Sequence, residues 1–501
     1  MGLMSPSRAH PLTSAQRAKF RLATSKSHPS GIDVAAGPSL SALPETTPEN
    51  ASVEVLRVLQ FPSVRAVLLE LPKGMRRRTL TLLPVVVSLL WLVARRLPSF
   101  GAVLDLLRQG RLPGVGALDV TSSAFTQRLQ ALPHDLMLGV LKASSHALAQ
   151  TYGVRRAWIQ AWVPWASGVF AVDDTTLDAL ARKVPELMLH AKGKAATLGG
   201  RLACALNLST GTWAEILYDS DSAANEKSHV RALLQRLGME ALVVLDLGYY
   251  SFELFDWMTR SYLWFVTRLR EGAAYRVLQV FKDEPLVRDR LVLLGGGKNR
   301  AGYPLRLVEL YINGSWHGYL TNQLQVALLG PEVIWALYEQ RWSIEMAFFA
   351  LKRILGLASL RACHINGVLW QVWASLLVYQ VLQHLRLTVA VAAGWQEDEV
   401  SWEMLMRRVP WYIEDASDEA LEAWLTRQAA TLLLKKRGVR ARRKDSITAE
   451  HRRPCELPSA PLDLPLLETR PARNDGNYGR TAPCRWEMAG LAGMGVAAPK
   501  S

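Results

Sequence analysis

The segment 331–356 contains four polar residues at a spacing that could bind a phosphate backbone. Tyr338 is followed by Arg341, Glu345 and Lys352 at three, seven and fourteen positions on. Since the segment starts with proline and ends with glycine, we predict one helix, in which the four side chains span an arc of about 60° and about 21 Å. A phenol, a guanidinium and an ammonium in such a row can all donate hydrogen bonds to phosphates. The alternative is a solvated helix face with an ordinary i, i+4 ion pair.

Two apolar runs elsewhere in the chain each end on aspartate. The run 168–172 ends on Asp173 and Asp174, and the run 241–245 ends on Asp246. Runs of this length and composition are typical of buried strands. A single aspartate after a strand is often only a turn residue. With the glutamate of the helix, however, these aspartates can form a set of three carboxylates.

Such a set indicates metal-dependent phosphoryl chemistry. Three clustered carboxylates repel each other unless a cation joins them, and Mg²⁺ prefers oxygen ligands. Two Mg²⁺ ions in such a clamp can activate a nucleophile and stabilise the leaving oxygen of an in-line displacement. Asp173 or Asp174, together with Asp246 and Glu345, supplies the required ligands.

The elements around these residues follow a clear order. We predict a hairpin over 201–208 and 212–218, a helix over 224–237 and a further strand over 263–269. From residue 168 to residue 245 the order is therefore strand, hairpin, helix, strand, and the first and last of these strands, the apolar runs 168–172 and 241–245, end on carboxylates. Arg268, near the end of the strand that follows, is a further candidate for the site, or it pairs with a carboxylate.

Composition favours a polyanionic partner and excludes several classes of protein. The chain has 501 residues, with 59 Lys and Arg against 44 Asp and Glu, a net charge of +15 and a pI of about 9.8. Its four cysteines lie far apart, without the spacing of a zinc site or of a disulfide framework. The apolar run 80–94 is short for a bilayer, so we predict a core helix there and no membrane association. We expect a protein of the reducing cytoplasm.

The sequence resembles the bacterial transposases named after insertion sequence four. The spacing Tyr338-x2-Arg341-x3-Glu345-x6-Lys352 matches the signature of that family in full. The segments VFAVDDTTL and VVLDLGYYS resemble its two aspartate motifs, and YEQRWSIEMAFFALK resembles its approach to the catalytic glutamate. Because MRRRTLTLLPVVVSLLWLVARR is similar to the helical N-terminal region of the family, the resemblance covers roughly residues 51–385.

The resemblance implies an α/β fold, with an RNase H-like catalytic core, a β-rich insertion, an all-helical N-terminal domain and a helical C-terminal region. The predicted order of strands, hairpin and helix agrees with that core. In chain order we expect a disordered arm (1–50), a helical domain for DNA end binding (51–160), the first part of the core (161–271), the insertion (272–320), the second part with the glutamate helix (321–385), a helical region (386–430) and a basic, disordered tail (431–501).

The resemblance also implies a role for each residue of the constellation. The catalytic residues and metal ligands would be Asp173, Asp246 and Glu345, binding two Mg²⁺ ions for which Mn²⁺ can substitute. The DNA backbone would be held by Tyr338, Arg341 and Lys352.

The first aspartate has two candidates. The pattern D-x-T-T-L selects Asp173, whereas D-T-T selects Asp174, and side chains alternate along a strand so that only one should reach the metals. We favour Asp173.

The function implied is that of a transposase. It would bind the terminal inverted repeats of an insertion sequence, cleave the DNA ends and join the 3′-OH to target DNA. The partners would be double-stranded DNA and further copies of the chain, as a homodimer or higher oligomer at the nucleoid of a bacterium. The alternatives are an RNase H-like DNA nuclease without strand transfer and an inactive DNA-binding derivative.

Overall fold

The structure, a computed structural model, describes most of the chain between residues 58 and 414. The described residues are 58–69, 80–152, 156–177, 180, 184–188, 199–221, 226–312, 314–357, 360–395, 397–414, 425 and 427. The predicted N-terminal arm (1–50) and basic tail (431–501) lie outside the described residues.

Helices dominate the described part of the chain that precedes the first strand. They are α1 (Pro62–Leu69), α2 (Leu82–Ala94), α3 (Phe100–Arg108), α4 (Ser122–Ala131), α5 (Asp135–Tyr152) and α6 (Ala157–Trp162). All of α2 but Leu83 is buried, as expected of a helix that is apolar on every side. The hydroxyls of Ser99 and Thr121 cap α3 and α4, each accepting a hydrogen bond of 3.2 Å from a backbone N–H three residues on.

The strands form one large mixed sheet. They are β1 (Gly168–Thr176), β2 (Arg201–Asn207), β3 (Trp213–Asp219), β4 (Ala241–Leu245), β5 (Trp264–Arg268), β6 (Tyr275–Asp283), β7 (Val287–Gly296), β8 (Asn299–Arg300), β9 (Leu305–Ile312) and β10 (Ser315–Thr321). The order is β3-β2-β1-β4-β5-β10-β9-β7-β6, with β8 beside β7. Strands β1, β4 and β5 run parallel, and the other neighbours are antiparallel. The segment predicted as a β-rich insertion therefore extends the sheet through β10, which pairs with β5.

One strand is longer than its apolar run. We predicted that β1 ends at Val172, but it continues through both aspartates to Thr176. The pairing of β1 with β4 does stop at Val172, whereas β2 remains paired with β1 beyond that point. The polar half of β1 is thus held by one neighbour instead of two.

The sheet separates two hydrophobic cores. On one face, Val169, Ala171 and Val244 lie in a core that also takes in the helices described up to α5. A short helix, α7 (Pro185–Met188), lies between β1 and β2 in the chain. On the other face, Phe170 and Val172 pack in a second core, which includes side chains of α8 (Glu226–Leu237) and α9 (Phe252–Arg260). We call the face that carries Val169, Ala171 and Val244 the helical face, because the helices after β10 also pack against it.

Those helices do not form the single straight helix predicted for 331–356. The segment comprises α10 (Pro331–Glu339), α11 (Trp342–Phe349) and a π-helical turn (Ala350–Ile354). Between α10 and α11 the backbone tightens, because the N–H groups of Ser343 and Ile344 bond to carbonyls three residues back, at 3.0 and 3.2 Å. The predicted arc of about 60° therefore does not describe the row, since both irregular turns change the rotation per residue.

A long helix joins the N-terminal helices to the sheet. Helix α12 (Ile365–Ala393) is followed by a 3₁₀ turn (Glu397–Glu399) and α13 (Trp402–Glu414). The side chain of Asn366 accepts a hydrogen bond of 3.0 Å from the N–H of His134, and the Trp370 indole donates one of 3.0 Å to the carbonyl of Leu132. By length and composition α12 could span a membrane, but 78% of its apolar window is buried inside the protein.

Candidate active site

Two of the predicted carboxylates leave adjacent parallel strands on the helical face of the sheet. Asp173 alternates with Ala171, and Asp246 alternates with Val244, and both of these apolar residues lie in the core of the helical face. Asp246 follows β4 with an extended backbone (φ −72°, ψ 162°) and caps a short 3₁₀ turn. Side chains two positions apart on a strand share a face, so both aspartates lie on the side covered by α10 and α11.

Arg341 joins the second aspartate to the glutamate of α11. Its Nη1 atom lies 3.4 Å from Oδ1 of Asp246 and forms a closer ion pair with Oε1 of Glu345. Burial alone would lower the pKa of Arg341, but the neighbouring Tyr338, Asp246 and Glu345 hold it above its ordinary value. The side chain is 9% exposed, and its Nε is a buried donor without a hydrogen-bond partner among the described residues. Because this Nε is buried, an acceptor such as a phosphate oxygen reaches it only after the side chains around it move.

Asp173 lies within the field of the other carboxylates. Burial, together with the charges of Glu345, Asp174 and Asp246, raises its pKa from 3.8 to about 7, although a hydrogen bond from the N–H of Asp174 acts in the opposite direction. The structure thus brings Asp173, Asp246 and Glu345 together, although they are far apart in sequence. Their mutual repulsion is the electrostatic signature of a site that attracts cations.

Asp174 points away from this cluster. It lies on the opposite face of β1, where its two oxygens accept hydrogen bonds from Nε and Nη2 of Arg201 at 2.8 and 2.6 Å. Its side chain is 5% exposed and that of Arg201 is 14% exposed. Because side chains alternate along β1, Asp174 binds Arg201 on one face of the sheet, whereas Asp173 lies near the other carboxylates on the opposite face.

Tyr338 packs at the edge of the cluster. Its ring lies 5.3 Å from that of Tyr319 on β10, and the Arg341 guanidinium lies 5.7 Å from the centre of its ring. Burial raises the pKa of Tyr338 to about 12, with Arg341 acting in the opposite direction. The phenol consequently remains protonated and can donate a hydrogen bond at neutral pH.

Lys352 does not lie on the regular α-helix that the sequence pattern predicts. It lies on the π-helical turn and is half-buried, seven residues beyond Glu345. A π turn holds more residues than an α turn, so the direction of this side chain cannot be read from a straight helix.

The three carboxylates have the chemistry of a divalent-cation site but not its geometry in this structure. Carboxylate oxygens are the ligands that Mg²⁺ prefers, and the charges of Glu345 and Asp246 add to burial in raising the pKa of Asp173. Within the described part of the chain, no three His, Cys, Asp or Glu side chains are arranged so that they could hold a metal ion. Arg341 lies between Asp246 and Glu345, so these carboxylates must turn away from its guanidinium to bind a metal.

The structure adds residues that the motifs did not include. Arg268, a candidate from its position near the end of a strand, lies close enough to lower the pKa of both Tyr338 and Tyr319 against the effect of burial. Cys204 was missed: it pairs with Asp173 across β1 and β2 and is fully buried, and burial and that carboxylate raise its pKa. The hairpin pattern could have placed Cys204 on β2, but its register with β1 requires the fold.

One comparison with known proteins identifies a family for part of the chain. Residues 164–381, which include every residue of the predicted constellation, match the family described as the transposase DDE domain. This match supports a DDE transposase. No curated protein matches the chain. Among solved structures, the chain is similar to the cryo-EM structure of a piggyBac transposase synaptic complex with hairpin DNA, with 11% identity and a TM-score of 0.36 over 80% of this chain and 88% of that one.

Proposed function

We propose that the chain is a DNA transposase of the insertion-sequence-four family, which cuts the ends of its own element and joins them to target DNA. The observation that supports this most is the convergence of Asp173, Asp246 and Glu345 beside Arg341 on one face of the sheet. The order β3-β2-β1-β4-β5 agrees with the RNase H-like core that the resemblance implies. These five strands and the segment 331–354 position the whole constellation.

In this proposal the chemistry is two in-line displacements at one phosphate-binding site. Water first attacks the phosphodiester at the element end, and the bond to the 3′ oxygen breaks to leave a 3′-OH. That hydroxyl then attacks a phosphodiester of target DNA and expels another 3′ oxygen. In each step one P–O bond forms and one breaks, the attacking oxygen loses a proton, and the departing 3′ oxygen gains one to become a hydroxyl.

In this proposal the carboxylates bind metal ions, and the other polar residues of the site bind the DNA backbone. Asp173, Asp246 and Glu345 would hold two Mg²⁺ ions, or Mn²⁺, which supply Lewis-acid stabilisation of the charge on the phosphoryl oxygens. Arg341 would bind a phosphate through the edge of the guanidinium that contains its free Nε. Tyr338 would donate from its protonated phenol, and Lys352 would add a point charge further along the backbone.

The remaining charge and the helical region would serve DNA binding. The net charge of +15 favours a duplex partner, and affinity should fall as salt rises because counterions are released on binding. We assign recognition of the element ends to the helices of 51–160. Because α2 and α12 share one core, removing this region would expose apolar surface, so Arg111→Gln on its exposed surface is the better test. It should weaken end binding while the fold remains intact.

The decisive experiment is strand cleavage and strand transfer on the element's own ends, with Mg²⁺ as the added ion. Asp173→Asn, Asp246→Asn and Glu345→Gln should each abolish both reactions but leave DNA binding within a few fold of the parent. Asp174→Asn, assayed at a temperature at which it is folded, is the matched control and should retain cleavage.

Three other outcomes would change the assignment. Cleavage without joining of precut ends would indicate a nuclease. End binding without either reaction would indicate a derivative that acts only as a DNA-binding protein. Loss of cleavage in Asp174→Asn, together with activity in Asp173→Asn, would reverse the choice of the first aspartate. Sedimentation with paired ends would test for the homodimer or higher oligomer, which we expect at the bacterial nucleoid.

A further inference from the structure

A half-buried carboxylate outside the acidic cluster connects the C-terminal helices to the rest of the protein. Glu397 begins the 3₁₀ turn after α12 and accepts hydrogen bonds from Gln383 at 2.8 Å and Arg386 at 2.9 Å, both on α12. It also accepts two from Arg156, one from Nε at 3.0 Å and a closer one from Nη2. Burial alone would raise the pKa of Glu397, but Arg156 and Arg386 lower it to about 2. The carboxylate is therefore ionised at neutral pH and binds all three of these side chains at one junction.

Arg156 connects this junction to two further segments of the chain. Its backbone N–H donates to the carbonyl of Ser209 at 3.1 Å, and its Nη1 donates to the carbonyl of Leu208 at 3.3 Å. The same Nη1 donates to the hydroxyl of Ser343 on α11, also at 3.3 Å. Glu397 thus holds an arginine that reaches the β2–β3 turn and the helix bearing Glu345.

The contact between Arg156 and Ser343 lies in the irregular turn at the start of α11. Ser343 lies midway between Arg341 and Glu345, in the tight turn where the N–H of Ser343 bonds to the carbonyl of Gln340 at 3.0 Å. Such a turn has weaker internal hydrogen bonding than a regular α-helix, so an outside contact can decide the rotation of α11 about its axis.

We propose that Glu397 and Arg156 are positioning residues: through Ser343 they fix the rotation of α11 and so aim the carboxylate of Glu345 at the acidic cluster. This inference rests on the proposed function, because it assumes that Glu345 takes part in the chemistry. Neither Glu397 nor Arg156 belongs to the row of polar residues that the sequence pattern identified.

The expected effect follows from helix geometry. A side-chain carboxylate lies about 6 Å from the helix axis, so a rotation of about 15° displaces it by about 1.5 Å. A misplacement of about 1 Å in a catalytic group can lower a rate by about 100-fold. Loss of the contact should therefore reduce cleavage by about 10- to 100-fold, with no loss of DNA affinity.

The most selective test is Ser343→Ala, because it removes the contact with α11 and leaves the Glu397–Arg156 junction in place. We expect the single-turnover cleavage rate on prebound DNA to fall by at least 10-fold, with the Kd for DNA and the unfolding midpoint unchanged. Ser343→Thr retains the hydroxyl and should restore most of the rate. Parent-like cleavage by Ser343→Ala would overturn the proposal, and so would an equal loss in Ser343→Thr.

Glu397→Gln tests the other end of the junction, with Glu403→Gln as its matched control. Glu403 forms an i, i+4 pair with Arg407, and both side chains are about two-thirds exposed (65% and 67%). At a temperature where circular dichroism shows both variants folded, Glu397→Gln should cleave at least 10-fold more slowly than Glu403→Gln. Equal rates would refute the positioning role.

Failure of this inference is distinguishable from failure of the proposed function. If Glu345→Gln abolishes cleavage while Ser343→Ala does not affect it, the active site stands and the positioning role falls. If Glu345→Gln cleaves normally, the proposed function itself is wrong.

Discussion

Asp173→Asn should make the protein more stable at alkaline pH while it removes the proposed catalytic ligand. Burial and three neighbouring carboxylates raise the pKa of Asp173 from 3.8 to about 7. Since one pKa unit corresponds to about 1.36 kcal/mol, ionising this group costs the folded state about 4 kcal/mol above pH 7. Asparagine avoids that cost because it has no charge to bury.

The stability difference between the parent and Asp173→Asn should depend on pH. Below pH 3.8 the carboxyl group is protonated in the folded and in the unfolded chain, so it contributes no difference. Between pH 3.8 and about 7 only the unfolded chain releases the proton, and the parent loses stability relative to Asp173→Asn as pH rises. Above pH 7 the difference is constant.

Substitution of the neighbouring Asp174 should lower the stability of the protein instead of raising it. Asp174→Asn removes the carboxylate that binds Arg201 through two hydrogen bonds, and Arg201 is only 14% exposed. The variant should lose about 3 kcal/mol of stability at neutral pH.

The assay is denaturant unfolding of the full chain, followed by circular dichroism in EDTA at about pH 8 and about pH 4. We expect a raised midpoint for Asp173→Asn at pH 8, a lowered midpoint for Asp174→Asn, and a smaller gain for Asp173→Asn at pH 4. A lowered midpoint for Asp173→Asn at pH 8 would refute the reasoning, because it would mean that the carboxylate is stabilised where it lies.

Three further measurements test other parts of the structure. Mg²⁺ at about 100 times its Kd should stabilise the parent by about 2.7 kcal/mol, and Asp246→Asn should show no such gain in a thermal melt; a gain of equal size in both would exclude Asp246 as a ligand. The pKa of Glu397 is lowered from 4.5 to about 2, so its contribution of about 3 kcal/mol is complete above pH 4.5 and is lost as pH falls towards 2, and unfolding of Glu397→Gln should lack that dependence. Asp289→Asn should cost about 3–5 kcal/mol in a urea titration because Arg306 is 0% exposed, whereas Arg407→Gln at the surface should cost less than about 0.5 kcal/mol; similar losses would mean that the buried pair is not rigid.

Strands of the sheet could be predicted from the sequence where they consist of a continuous run of apolar residues. Strand β4 matches the run 241–245 in full, because a strand buried on both faces must be apolar along its length. The alternation of side chains also separated Asp173 from Asp174, although it could not say which face the helices would cover. That choice depends on where α10 and α11 pack, and hence on contacts between distant parts of the chain.

The irregular helix shows where local patterns stop being sufficient. Between Glu339 and Trp342 the chain has no proline or glycine, so nothing in the sequence predicts the tight turn. The contacts of Arg341 with two carboxylates and of Ser343 with Arg156 are formed there by tertiary structure. The junction at Glu397 was missed for the same reason: its closest partner in sequence is 11 residues away, and Arg156 is 241 residues away.

The packing of α12 against the N-terminal helices has a consequence for synthesis of the chain. The contact between His134 and Asn366 joins residues 232 positions apart. A ribosome that adds about 5–20 residues per second needs roughly 10–50 s to make that interval. During this time α2 and α5 lack the helix that completes their core, and their apolar surface is exposed to aggregation. Translation should therefore limit the yield of folded protein, and chaperones that shield nascent apolar helices should raise it.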